Sequence, residues 1–186
     1  MLVGLTGYAG SGKDAAAAGL TASGWKRVSF AEPIRQMLLM LNPFLPSGLT
    51  LQTVVREQGW DGAKKSPEVR RLMQTMGTEV GREMIDDDLW TKLAKKSWDN
   101  YFKQGHNVVV TDVRFKNEAD AIRFNGGKII RIHRDGVKPA NNHVSDTGVD
   151  LLSVDHEIVN NGTVEDLQKT LKTLLQPYAP QFGETK

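Results

Sequence analysis

The hydrophobic pattern divides the chain into short segments of two alternating kinds. Leu2, Val3, Gly4, Leu5 and Thr6 make an apolar run of strand length, and Ala15 to Ala18 open a helix-prone stretch. Residues 25–30 alternate apolar and polar side chains and predict a second strand. A helix is expected to open at Ala31-Glu32-Pro33, with Pro33 near the first turn where a missing N–H costs little, and to run through about Leu41. Over 42–65 the periodicity fails around Pro43, Pro46, Gly48, Gly59 and Gly62, so this stretch reads as an irregular or helical insertion. Helical spacing returns at Ser66 and continues through Val69, Leu72, Met73, Met76 and Val80. A further helix is predicted from the acids at 86–88, which suit a helix start, through Leu89, Leu93 and Trp98 to about Phe102.

The β-branched run at 107–112 predicts a strand buried on both faces. A helix over 117–124, ended by Asn125, Gly126 and Gly127, leads to a strand at 128–133. The polar segment 135–154 is too long for a simple connection and is expected to be a lid or binding loop. A last strand is expected at 156–159, then a helix capped by Thr163 and running to about Leu175, with Pro177 and Pro180 marking a frayed tail. Five strands alternating with helices imply an α/β fold, a mostly parallel sheet with helices on both faces, in one domain spanning 1–186. Ligands in such sheets bind beyond the carboxyl ends of the strands. That rule gathers 7–13, the residues after Phe30, Asp112 with Arg114, and the segment after His133 on one rim.

Composition narrows the classes. The 186 residues suffice for a core without disulfides or structural metal, and cysteine is absent, which excludes a disulfide framework and a cysteine-ligated zinc site. The net charge of +2, from 24 basic and 22 acidic residues interspersed, gives no support to a nucleic-acid surface. No apolar run approaches the roughly 18 residues of a membrane span. With a glycine loop starting at Gly7, no secretory leader is expected, and the expected location is the cytoplasm.

Gly7, Tyr8, Ala9, Gly10, Ser11, Gly12, Lys13 and Asp14 lie between the first strand and the first helix, the context of a phosphate-binding loop. Glycines let the backbone curl around a phosphate so that successive N–H groups and the helix start face negative charge. Lys13 adds a point charge for the β and γ phosphates of ATP. Asp14 stands where a Ser or Thr hydroxyl usually binds magnesium. Asp112 at a strand end is the candidate second magnesium carboxylate, partly through water, and Arg114 offers a bidentate fork to phosphate. Arg131 and Arg134, flanking His133, are candidates for a lid over the phosphates, with Arg134 nearer the loop and His143 as a further lid contact. His106 and His156 are isolated and lack metal spacing, and Trp98 reads as core.

Three blocks carry a resemblance: Ser29-Phe30-Ala31-Glu32-Pro33-Ile34-Arg35, Leu72-Met73-Gln74-Thr75-Met76-Gly77-Thr78-Glu79-Val80-Gly81-Arg82, and Thr111-Asp112-Val113-Arg114-Phe115-Lys116-Asn117-Glu118. With the glycine loop and Lys13-Asp14, they resemble the signature blocks of the deoxynucleoside monophosphate kinases of bacteriophages. His143-Val144-Ser145-Asp146 is similar to a further block of that family, with Asp146 where Glu is expected. The resemblance implies a three-layer phosphate-loop NTPase fold, magnesium as cofactor, and transfer of the γ-phosphoryl of ATP to a deoxynucleoside monophosphate. It also implies that Arg35 and Arg82 hold the acceptor phosphate. Gln74 is a candidate for a base edge, and Trp90 for the base or deoxyribose. Arg70 is a weaker acceptor candidate, since with Arg71 it reads more readily as a solvated helix face. Neither nucleic acid nor membrane is an expected partner, and a homodimer stays open. So do two other readings: a kinase of another phosphorylated metabolite, of the dephospho-coenzyme A or phosphomevalonate type, and a non-catalytic ATP-dependent binding protein.

Overall fold

The computed structural model describes residues 1–139 and 143–178, without the side chain of Asp146. Pro180 and residues 140–142 of the expected lid lie outside the described residues. The sheet has five strands, β1 (Leu2–Thr6), β2 (Lys26–Val28), β3 (Val108–Val110), β4 (Lys128–His133) and β5 (His156–Val159). Their order is β2-β3-β1-β4-β5, and every neighbouring pair is parallel.

β1 lies at the centre and is buried along its whole length. On one face Val3 and Leu5 join Ala16, Ala17 and Leu20 of α1 (Lys13–Thr21) and Leu167, Leu171 and Leu175 of α8 (Val164–Leu175). On the other face Gly4 meets α6 (Lys116–Phe124), where any Cβ at Gly4 would fall 2.7 Å from Ile122. Helices on both faces are why these strands read as continuous apolar runs rather than alternating ones.

The chain forms two compact units, Met1–Ser29 with Ala94–Lys186, and Phe30–Leu93. The first contains the sheet. The second enters the chain between β2 and β3, so the insertion expected over 42–65 is part of a larger unit. It holds α2 (Glu32–Leu41), α3 (Leu51–Ala63), α4 (Pro67–Thr75) and the start of α5 (Leu89–Lys103). Much of 42–65 is therefore helix. Thr50 caps α3 by accepting the Thr53 N–H, and buried Leu51, Val54 and Ala63 outweigh the weak propensity of its glycines. Only Gly59, at φ 65°, leaves helical backbone.

The helix expected over 66–80 widens at Met76, and Met76–Ile85 is π-helical, with the Asp86 N–H bonded to the Gly81 carbonyl at 3.0 Å. Trp90, 2% exposed, supplies the reason: its ring packs on Gly81 and its N–H donates to the Gly77 carbonyl at 2.7 Å. Asp86 then opens α5, accepting the Asp88 N–H at 2.9 Å and pairing with Lys92, as acids at a helix start should. The expected lid segment contains a short helix α7 (Val144–Thr147) and a 3-10 turn, Gly148–Leu151.

Candidate active site

β1 delivers the chain to its carboxyl end, where residues 7–12 curl into a tight loop that α1 terminates. Two glycines are required there by contact. A Cβ on Gly7 would lie 2.2 Å from the Ile132 carbonyl oxygen of β4, and one on Gly12 would lie 2.4 Å from Asn160 Nδ2. Both also have positive φ, 136° and 104°. The Lys13 ammonium folds back across the loop, donating to the carbonyls of Gly7 and Tyr8, each at 2.6 Å, and lying 3.5 Å from Ser11 Oγ. A strand-loop-helix turn built this way presents backbone N–H groups and one cation to an anion.

Asp14, in the first turn of α1, pairs with Arg27 of β2, and the same guanidinium donates through Nε to Thr111 Oγ1 at 3.2 Å. One arginine thus spans from the phosphate loop to the end of β3. The next residue, Asp112, accepts the Ser29 hydroxyl at 2.7 Å. Buried Glu118 holds the turn that follows, accepting the N–H groups of Arg114 and Phe115 at 2.8 and 3.1 Å. Arg114 donates to the Ser145 carbonyl at 3.0 Å.

The segment 143–152 is fastened to the same rim. The Tyr8 hydroxyl donates to Asp150, and that bond, with some burial, pushes the phenol up to about 12, so the hydroxyl stays protonated at neutral pH. Arg131 donates to the carbonyls of Val149 and Leu152 at 3.1 and 2.7 Å and pairs with Glu157 at 2.7 Å. His143 caps α7, its Nδ1 accepting the Ser145 N–H at 3.2 Å. Arg134 is exposed and makes no ion pair among the described residues; with Gly7, Tyr8, Ser11 and Asp150 it lines a small pocket beside the loop.

In the unit 30–93, Arg35 is mostly buried. Its guanidinium lies 3.4 Å from Glu32 and 5.9 Å from the Trp60 ring centroid, and its buried Nε has no hydrogen-bond partner among the described residues. Arg82, on the π-helical segment, is buried and donates to the Asp87 carbonyl at 2.8 Å. Gln74 lies half-buried on α4. Arg70 is exposed and donates to the Lys64 carbonyl at 2.6 Å.

Residues 53–171 match the family model described as deoxynucleotide monophosphate kinase. A protein of Acanthamoeba polyphaga mimivirus, provisionally named deoxynucleotide monophosphate kinase, is 32% identical over 181 residues, 89% of this chain and 91% of that protein. The chain belongs to the deoxynucleotide monophosphate kinase family. The deoxynucleotide monophosphate kinase of Enterobacteria phage T4 is 33% identical over 109 residues, 58% of this chain but 45% of the phage protein, so the chain spans under half of that relative. At the level of fold, the dephospho-CoA kinase of Campylobacter jejuni superposes with a TM-score of 0.50 at 13% identity, covering 95% of this chain and 96% of that one. The fold is that of the phosphate-loop kinases.

Placed in a deoxynucleotide monophosphate kinase, the expected residues divide. The loop, Lys13, Asp14, Asp112 and Arg114 all belong to the sheet-bearing unit and lie at or just beyond the carboxyl ends of its strands or at the start of α1. Arg131, expected as a lid residue, ties the turn at 149–152 to Glu157 and, like Arg134, lines the pocket beside the loop. Trp90, expected against the base or deoxyribose, is corrected, since its ring is in the core and its N–H is used by Gly77. Among the described residues no group of three or more His, Asp or Glu is placed to hold a metal alone, and no helix is long and apolar enough to cross a membrane. Sequence reasoning missed three residues of the rim. Glu118 was legible as an acid at the third position of a helix, a capping signal. Arg27 and Asn160 had no local signal, because their partners are far away in the chain.

Proposed function

We propose that this chain transfers the γ-phosphoryl group of ATP to a deoxynucleoside 5′-monophosphate, giving the diphosphate, as a step in supplying precursors for DNA synthesis. The observation that carries this reading is the loop 7–13 closing the central strand, with Lys13 cross-bracing it, in a chain of the deoxynucleotide monophosphate kinase family. Its backbone N–H groups and Lys13 bind the β and γ phosphates, and Arg114 and Arg134 add positive charge where the transferring group is most anionic. Arg35 and Arg82, with Gln74, take the acceptor. The buried Nε of Arg35, with no hydrogen-bond partner among the described residues, supports that role. Arg70, held to the Lys64 carbonyl, contributes field only.

Magnesium fits the residues present. Asp14 and Asp112 are hard oxygen donors whose neighbourhoods are joined by Arg27, and two carboxylates plus substrate phosphates form the set this ion prefers. When bound, it neutralises charge on the phosphates. The acceptor needs no base from the protein, since a phosphate with its second ionisation near pH 6 is largely deprotonated at neutral pH. Alignment and exclusion of water are what the chain supplies.

The test is ADP formation from ATP and magnesium with each deoxynucleoside monophosphate in turn. Monophosphate-dependent ADP is expected, and Lys13→Ala should lower turnover at least about a hundredfold with an unchanged circular dichroism spectrum. ADP formation no greater with monophosphate than without it would end the proposal. Dephospho-coenzyme A and phosphomevalonate in the same assay separate the kinases of other metabolites.

A further inference from the structure

Asn160 and Asn161, at the carboxyl end of β5, join two parts of the rim that are remote in sequence. Asn160 is 7% exposed, and its Nδ2 donates to the Ser11 carbonyl at 2.8 Å across a separation of 149 residues. The same nitrogen fills the space beside Gly12, where a Cβ would lie 2.4 Å away. Its own backbone N–H is bonded to the His133 carbonyl at 2.7 Å, so the side chain has a fixed base. Asn161 makes a reciprocal pair with Asp135: its Nδ2 donates to Asp135 Oδ2 at 2.7 Å, and the Asp135 N–H donates to Asn161 Oδ1 at 3.1 Å. Asp135 lies in the turn closed by the Val137 N–H on the Arg134 carbonyl at 3.2 Å.

We infer that Asn160 and Asn161 are positioning residues: Asn160 sets the curvature of the phosphate loop, and Asn161 sets the turn that carries Arg134. A buried amide that donates to a carbonyl of the loop fixes which way the flanking N–H groups point. The Ser11 N–H is itself bonded to the Tyr8 carbonyl at 3.2 Å, so the group that Asn160 orients for a phosphate is the Gly12 N–H, which shares a peptide unit with the Ser11 carbonyl. The pair of adjacent asparagines makes the loop and the Arg134 turn move as one piece. The inference rests on the reading of 7–13 as the ATP phosphate site.

The experiment measures ATP binding by calorimetry and both KM values in the full chain, for the parent and for Asn160→Ala, Asn160→Asp and Asn161→Ala. Asn160→Ala should weaken ATP binding about tenfold, the worth of one buried hydrogen bond. Asn160→Asp should be at least as weak although it keeps the shape, because it turns an oxygen toward the Ser11 carbonyl. The acceptor KM should stay within about twofold for both. Asn161→Ala, altering an exposed pair, should lower kcat several-fold and leave ATP binding alone. Should Asn160→Ala fail to fold, Asn160→Asp and Asn161→Ala carry the comparison. Binding of ATP within about twofold of the parent by the Asn160 variants would overturn the inference, as would equal loss of ATP and acceptor affinity in step with a fallen melting temperature. An unaltered kcat for Asn161→Ala would overturn the coupling to Arg134. Failure of the parent chain to bind ATP would instead count against the reading of the loop.

Discussion

Replacing Trp90 by Phe separates two roles that the residue type alone cannot distinguish. The indole is 2% exposed, packs on Gly81 and donates to the Gly77 carbonyl at 2.7 Å. Losing that donor leaves a buried carbonyl without its partner and costs about 1 kcal/mol. Removing about 40 Å³ of ring at roughly 24 cal/mol per Å³ costs about 1 kcal/mol more. Trp90→Phe should therefore destabilise by about 2 kcal/mol, read from urea unfolding followed by circular dichroism. Gly81→Ala attacks the same contact from the other side. Its methyl would lie 2.1, 2.6 and 2.8 Å from Cζ2, Cε2 and Nε1 of the indole, an overlap a buried ring cannot relieve by moving. A cost of about 1–3 kcal/mol follows. Phe lacks those indole positions, so the double variant should cost less than the two single ones together. If Trp90→Phe unfolds within about 0.5 kcal/mol of the parent while the acceptor KM rises tenfold or so, the indole is a ligand contact and the structural reading of it is refuted.

Asp14→Ala should raise the magnesium concentration needed for half-maximal activity more than it raises the acceptor KM; overlapping magnesium titrations for variant and parent would remove Asp14 from the metal shell. Asp155 yields a pH dependence. Burial pushes its carboxyl up, but the Ile129 N–H at 2.8 Å, Lys128 and Arg123 outweigh this and hold it below the usual carboxylate range. A lowered folded pKa stabilises above the unfolded value of about 3.9, and that contribution is lost as pH falls through the folded one. Asp155→Asn should thus be the less stable protein at pH 7, with the gap closing below about pH 4. Urea midpoints that stay parallel from pH 7 to pH 3 would show that Asp155 is not linked to folding.

The loop 7–13 and the five strands were legible because each is written in neighbouring residues. Glycine spacing before Lys13 has one common use, and runs such as Val108 to Val110 have the length and β-branching of a doubly covered strand. α3 was obscured by its glycines, since propensity is local and the burial of Leu51, Val54 and Ala63 is not. Arg131 and Arg134 illustrate the limit for side chains. Both are arginines near the end of one strand, yet Arg131 is taken up by carbonyls near 150 and by Glu157, and Arg134 is left exposed. The π-helical turn at Met76–Ile85 likewise needed Trp90 to be placed before its wide pitch had a cause. Sequence alone determined the phosphate loop, the alternation of strand and helix and the family's blocks, because backbone preference and hydrophobic period act within a few residues. Only the tertiary structure decided which polar side chains are spent on the fold. That choice depends on partners such as Ser11 and Asn160, 149 residues apart in the chain and 2.8 Å apart in space.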